Sequence, residues 1–299
     1  MSPPSGREAP SPAEAPELVI ITGMSGAGRT TTAKVLEDLD FFVIDNLPPT
    51  LIGRVFELAA RPGAALGRIA LVVDVRGRQL FGDLRATLEE LRGRDIPLRV
   101  LFLDASDEAL LARFTEARRT HPLAGDDRVA DGVARERELL RDLRAEADLV
   151  IDTTSVTVHQ LRDRLVDVFA ASDHQGLSAH VVTFGFKHGT PRDADLVLDV
   201  RFLPNPHWEE RLRPHTGLDA PVREYVLGDD TAVAFLERLG GLLDLMVPAF
   251  QQEGKRYLTV AVGCTGGKHR SVVLGEEIAQ RIRALGVPVQ VDHRDRLEE

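Results

Sequence analysis

Residues 23 to 30 read GMSGAGRT, directly after the apolar run Leu18-Val19-Ile20-Ile21 and ahead of a helical pattern. Strand, glycine-rich turn and helix follow one another with the spacing G-x-x-x-x-G-[K/R]-[S/T] of a phosphate-binding loop. Gly23, Gly26 and Gly28 let the backbone take positive φ and bring N–H groups against phosphate oxygens. Met24, Ser25 and Ala27 fill the positions between them. The helix opening at Arg29 turns free N–H groups and the positive end of its dipole toward the same anion. Thr30 supplies the hydroxyl that such loops give to Mg²⁺. Arg29 stands where lysine is usual. It keeps the charge, but its planar fork is bulkier than a point ammonium. A chance glycine turn is the bland alternative, and spacing together with strand–helix context speaks for a nucleotide site.

Outward from this loop, apolar runs alternate with amphipathic segments. Strands are expected over 18–22, 41–45, 68–74, 98–104 and 149–152, and helices over 29–39, 48–60, 78–93, 107–119, 128–146 and 156–170. That rhythm predicts an α/β fold, a doubly wound and mostly parallel sheet, over residues 17–171. Residues 1–16, rich in proline, serine and alanine, are expected to form a disordered tail. The polar stretch Ser172 to Ser178 is a candidate linker. A second α/β domain is expected over 179–299, with strands 180–186, 196–202, 257–262 and 288–292 and helices near 230–246 and 269–285.

Composition narrows the class. A chain of 299 residues is long enough for two cores. Its formal net charge of −10 argues against a basic surface spread over the whole molecule, though a local basic patch survives such an average. The single cysteine, Cys264, excludes an internal disulfide and fits a reducing compartment. No apolar stretch approaches the roughly 20 residues of a membrane helix, and the N-terminus lacks a basic-then-apolar signal pattern. A cytoplasmic address is expected, without membrane association.

In the first half, three apolar runs end in aspartate: Asp45, Asp74 and Asp104. Ligands of open α/β sheets sit beyond the carboxyl ends of strands, so these carboxylates are placed to hold Mg²⁺ through water or to orient an attacking group. Asp74 is the first choice for the metal side, with Thr30 opposite it. Capping of the next turn is the alternative for each of them. The segment RFTEARRTH clusters Arg113, Arg118, Arg119 and His121. A mobile arginine-bearing lid stabilises transition-state charge in phosphoryl transfer, and Arg118 and Arg119, just before Pro122, fit that role best. A solvated basic turn is the competing reading. Arg29, Asp74, Arg118 and Arg119 are therefore the candidate catalytic groups, for slow nucleotide hydrolysis. The order of loop, Asp45 segment and arginine-rich lid leaves a small-molecule kinase open as the alternative.

The second half carries a second strand, glycine loop and helix. Tyr257 to Val262 leads into GCTGGKHRS, where Thr265, Gly266 and Gly267 make the turn, Lys268, His269 and Arg270 add positive charge, and Ser271 enters the helix. Cys264 and Arg270 also match the C-x-x-x-x-x-R spacing of cysteine phosphatases. Gly263 stands where those enzymes place a histidine. Lys187 and His188 end one strand, while Arg201, Asn205 and His207 follow another, all expected around the same loop. Phosphate-group binding is the leading reading; covalent phosphatase chemistry and a merely structural turn are the others. Most of the nine histidines lie beyond residue 175, but their spacings fit no compact zinc motif.

Taken in order, GMSGAGRT, FFVIDNLP, VVDVRG, RRTHPL, FGFKHG, DVRFLPNPHW and VGCTGGKHRS closely resemble the RapZ (YvcJ) family, from about Leu18 to about Arg294. The resemblance implies a phosphate-loop, kinase-like N-terminal domain with an ATP site at Gly23–Thr30. It also implies a GTP-associated motif at Asp74, Val75, Arg76 and Gly77, with ATPase and GTPase activity of modest rate. For the C-terminal domain it implies binding of small RNA and of a phosphorylated amino sugar, and for the whole chain self-association. Two positions depart from the family pattern. Arg29 replaces the loop lysine. The C-terminus, Asp292 to Glu299, ends acidic where RNA-binding members end in a basic cluster, and RNA affinity rests largely on phosphate neutralisation.

Overall fold

Leu18, Val19, Ile20 and Ile21 are all fully buried, as a strand covered on both faces must be. They form the middle of β1 (Glu17–Gly23), the central strand of a five-stranded sheet. The computed structural model describes residues 16–59, 61, 67–74, 78–93, 97–125, 127–170 and 176–296. The expected tail therefore lies outside the described residues apart from Pro16. So do most of the expected linker and the positions Val75, Arg76 and Gly77. The chain divides into two compact units, Met1–Ala171 and Ser172–Glu299.

In the first unit α1 (Arg29–Asp38), β2 (Phe42–Ile44), α2 (Ile52–Ala59), β3 (Arg68–Val72) and α3 (Arg78–Arg92) follow β1. After them come β4 (Leu98–Asp104), α4 (Asp107–Glu116), α5 (Val129–Ala145), β5 (Leu149–Asp152) and α6 (Val158–Ala170). The strand order is β2-β3-β1-β4-β5 and every pairing is parallel. Right-handed crossovers then put α1 and α3 on opposite faces. Accordingly α6 packs on α1, and α5 on α3 and α4. The strand order reverses at β1, so its carboxyl end opens at the switch point where ligands of such sheets bind.

The second unit holds a four-stranded parallel sheet of order β7-β8-β6-β9. Its strands are β6 (Ser178–Gly185), β7 (Leu196–Asp199), β8 (Tyr257–Cys264) and β9 (Val289–His293). Its helices are α7 (Ala220–Leu227), α8 (Asp230–Glu253) and α9 (Arg270–Ala284). The carboxyl ends of β7, β8 and β6 therefore lie side by side. Val181, Val260, Val262, Val273 and Ile278 sit in one apolar core under them.

Two parallel α/β sheets are what the alternation of apolar runs predicts, and the differences are local. Helix 48–60 splits into a 3₁₀ turn, Pro49–Leu51, and α2. The strand expected over 196–202 stops at Asp199, whose carboxylate accepts from the Arg201 N–H at 2.9 Å and turns the chain. The helix expected over 230–246 continues through Pro248 to Glu253 and ends at Gly254 with φ 88°. α7 lies in a stretch for which no element is expected.

Candidate functional site

The loop from Gly23 to Thr30 is held from behind by polar side chains. At Gly23, φ is 131° and an added Cβ would lie 2.2 Å from the Leu103 carbonyl oxygen, so only glycine lets β1 turn here against β4. Arg113, on α4, donates to the Gly26 carbonyl at 3.1 Å, to the Thr153 hydroxyl at 3.1 Å and to the Thr153 carbonyl. The Thr153 hydroxyl is 3.0 Å from the Ala27 carbonyl oxygen. A trans peptide points its N–H opposite to its C=O, so the Gly28 N–H is turned away from Thr153. The N–H groups of Gly26, Gly28, Arg29 and Thr30 have no acceptor among the described residues. Ser25 differs: its N–H and its hydroxyl both donate to the buried carboxylate of Glu136, at 2.8 and 2.7 Å.

Thr30 is exposed at the first turn of α1. Arg29 reaches Asp74, just beyond β3, with 3.9 Å between Nη2 and Oδ2 and both side chains largely buried. A hydroxyl and one carboxylate at the phosphate end are an adequate protein share for Mg²⁺, which takes its other ligands from water and phosphate. Asp104 does not join them. It is fully buried, paired with Arg137 at 2.9 Å and Arg144 at 2.8 Å, and accepts the Ala105 N–H. Asp45 is exposed.

The arginine cluster divides. Arg113 turns inward to the loop, and burial pushes its guanidinium below the ordinary value, with Asp152 and Glu116 pulling the other way. His121 is buried with Nε2 3.1 Å from Glu136 Oε2. Arg118 and Arg119 are exposed in the turn after α4, Arg118 with a left-handed backbone at φ 50°. Neither is brought against the loop by a hydrogen bond or ion pair among the described residues.

In the second unit three strand ends meet. The Lys187 N–H, in the 3₁₀ turn after β6, donates to the Thr265 carbonyl at 3.3 Å. The Val200 N–H, after β7, donates to the Gly263 carbonyl at 2.9 Å. The N–H groups of Gly266, Lys268 and His269 have no acceptor among the described residues, while the Gly267 N–H donates to Cys264 Sγ at 3.2 Å. Lys187 and His188 are exposed and Lys268 partly so; neither lysine has an acidic partner among the described residues.

Several expected ligands serve the fold instead. Arg270 is buried and donates to the carbonyls of Arg201 and Leu203 at 2.8 and 2.9 Å and to the Thr265 hydroxyl at 3.2 Å. Arg201 pairs with Asp199 at 2.6 Å, and that bond holds the Asp199 carboxyl below the usual carboxylate range. Asn205 caps the turn Pro206–Trp208 by accepting the His207 N–H. Ser271 is buried beside Cys264 Sγ at 3.2 Å. His269 is buried with Nε2 unpartnered among the described residues, its ring 6.5 Å from that of His207. Burial, then the charge of Lys268, lowers its pKa against the raising effect of the Arg213 and His215 backbones. Gly263 leaves no room for the phosphatase histidine, since a Cβ there would lie 2.5 Å from the Phe184 ring and 2.6 Å from that of Phe186. With Arg270 committed to two carbonyls as well, the C-x-x-x-x-x-R spacing does not make a phosphatase cradle.

Residues 16–173 match the RapZ-like N-terminal domain and residues 177–297 the RapZ C-terminal domain. The chain belongs to the RapZ family. A nucleotide-binding protein of Thermobifida fusca is 56% identical over 280 residues, 94% of this chain and 95% of that one. A nucleotide-binding protein of Streptomyces coelicolor is 57% identical, covering 94% of each. Among solved structures, shikimate kinase from Acinetobacter baumannii matches at 17% identity and a TM-score of 0.38, over 53% of this chain and 96% of that one. The resemblance carried by GMSGAGRT through VGCTGGKHRS thus holds across both halves of this RapZ-family chain. The bracing residues Glu136 and Thr153 were not singled out by the sequence. The trace Glu136 leaves there is a carboxylate on the apolar stripe Val133, Leu140 and Leu143 of α5. No helix among the described residues is long and apolar enough to cross a membrane.

Proposed function

We propose that this chain is a cytoplasmic, self-associating nucleotide-binding protein that takes ATP or GTP at the β1–α1 loop and hydrolyses it slowly. The observation that carries this reading is the set of open amides at Gly26, Gly28, Arg29 and Thr30, at a helix N-terminus whose carbonyls are tied down behind it. Relatives named nucleotide-binding proteins support it. Arg29 supplies positive charge to the phosphates, and Thr30 with Asp74 would hold Mg²⁺. When bound, the metal neutralises charge on the phosphate oxygens. Arg29 in place of lysine, engaged with Asp74, fits a slow reaction. In this reading the exposed Arg118 and Arg119 supply positive charge to the phosphates from the solvent side.

The second unit, in this reading, binds a phosphorylated small molecule, of the class of an amino sugar phosphate, at the β8–α9 loop beside Lys187 and Lys268. Small RNA is the weaker candidate, because Arg201 is paired with Asp199 and Arg270 is buried. Calorimetric titration of ATP–Mg²⁺ into wild type and Gly28→Asp tests the nucleotide site. Gly28 has φ 103°, and a carboxylate there would strain the turn and put a like charge among the amides. Saturable heat in wild type and none in the variant is expected; equal heats refute the reading. Filter binding of structured RNA over a salt series tests the other candidate, with no binding at moderate salt expected.

A further inference from the structure

One buried carboxylate in the N-terminal unit has no cation to match it. Glu136 is 2% exposed, and among the described residues no lysine or arginine pairs with it. Three donors hold it instead: the Ser25 N–H, the Ser25 hydroxyl and His121 Nε2. The state of His121 follows from its other nitrogen. Nδ1 accepts the Leu123 N–H at 3.1 Å, so it carries no proton, and the one ring proton sits on Nε2 facing the carboxylate. His121 is therefore a neutral donor, and the carboxylate accepts from all three groups.

A carboxylate beside an anion-binding loop has the same sign as the ligand and by itself weakens phosphate binding. Its geometry supplies the compensation. Successive N–H groups aimed into one concavity repel one another when it is empty, and an acceptor on one of them relieves this. Glu136 takes only the Ser25 amide and leaves those of Gly26, Gly28, Arg29 and Thr30 open. It ties the front of the loop to α5, as Arg113 and Thr153 tie the carbonyls behind. Space for the histidine comes from Gly132, one turn earlier on α5, where a Cβ would lie 2.6 Å from His121 Nδ1 and 2.9 Å from the Ala124 nitrogen.

Resting on the nucleotide reading above, we propose that Glu136, held by His121, is a positioning residue that keeps the loop in its phosphate-accepting shape before nucleotide arrives. The consequence is a split between the bonds of Glu136 and its charge. In Glu136→Gln the amide oxygen can accept from the Ser25 N–H and from His121, while the NH₂ donates to the Ser25 hydroxyl, so the bracing survives. Glu136→Ala removes it. Gly132→Ala disturbs it from the far side, through His121 and the Ala124 backbone, while Glu136 itself is kept.

The test uses the full chain and two readouts: affinity for ATP–Mg²⁺, and hydrogen exchange of the loop amides without nucleotide. Glu136→Gln is expected to stay within about threefold of wild type in affinity, whereas Glu136→Ala and Gly132→Ala lose about tenfold or more, as misplaced binding groups do. Both of the latter should also speed exchange at residues 25–30 in the free protein. If Glu136→Ala does not fold, Gly132→Ala against Glu136→Gln gives the same comparison. Wild-type affinity in folded Glu136→Ala or Gly132→Ala overturns the proposal, as does an equal loss in Glu136→Gln. Faster exchange without loss of affinity overturns it too. A wild-type protein that binds no ATP–Mg²⁺ overturns the nucleotide reading itself, and this inference with it.

Discussion

Replacing Arg113 by alanine removes the clamp that links α4, the loop and the end of β5. Two carbonyls, Gly26 and Thr153, lose a charged donor; the Thr153 hydroxyl keeps the Ala27 and Asp104 carbonyls within 3.0 Å. Hydrogen bonds to charged groups contribute about 1.5–3 kcal/mol each, and half-burial puts these at the lower end, so the loss of two is about 3–4 kcal/mol. In a domain of this size each kcal/mol moves the midpoint by about 2–4 °C, giving a fall of about 5–15 °C in the melting of the N-terminal unit. Arg113→Lys should fall between, because one ammonium cannot span two carbonyls as a planar fork does. Scanning calorimetry of wild type and both variants, alone and with ATP–Mg²⁺, measures this. A midpoint for Arg113→Ala within about 2 °C of wild type, or a lysine variant below the alanine one, would refute the bracing role.

Gly23→Ala should be among the most damaging single changes in the chain, because its Cβ meets the Leu103 backbone at 2.2 Å; soluble expression and a wild-type melting curve would contradict this. Stability of the C-terminal unit should fall on acidification. His269 and His293 both sit below their ordinary value, chiefly through burial, so the unfolded chain takes up their protons first. The contribution is full above about pH 6.5 and is lost as pH falls through the lower folded values. Melting that is flat from about pH 7.5 to 5, or an unchanged slope in His269→Gln, would contradict it. Cys264→Ser should leave any phosphate release undiminished, since Arg270 is turned to the Arg201 and Leu203 carbonyls; loss of turnover in the folded variant would revive covalent chemistry at this thiol.

Contiguous features were legible in the sequence. β1 and β8 are mostly apolar runs, buried at every position after the first, and each leads directly into its glycine loop, so strand, turn and helix could be read from one stretch. Short or exposed elements were less so. β2 is three residues long with Phe42 half exposed. α7 is eight residues between Asp219 and Gly228, with a proline in its first turn, a pattern that reads as loop. What closes behind each loop was not legible, because it comes from far along the chain. Ser25 and Glu136 are 111 positions apart, and Gly26 and Arg113 are 87. The arginine cluster shows the limit of local reading most plainly. Arg113 and Arg118 stand five positions apart, yet α4 ends at Glu116, so one faces the loop and the other solvent. Likewise the spacing of Cys264 and Arg270 is intact, but carbonyls from the end of another strand decide what the guanidinium does.

On the proposed function, main-chain amides at the start of α1 capture phosphoryl groups. Amide resonances of the full-length protein, followed by NMR as ATP–Mg²⁺ is added, test it directly. Large saturable shifts at Gly26, Gly28, Arg29 and Thr30, absent with adenosine alone, are the predicted result. Amides at these four positions that stay unmoved at saturating nucleotide, or shifts confined to other parts of the chain, would contradict it.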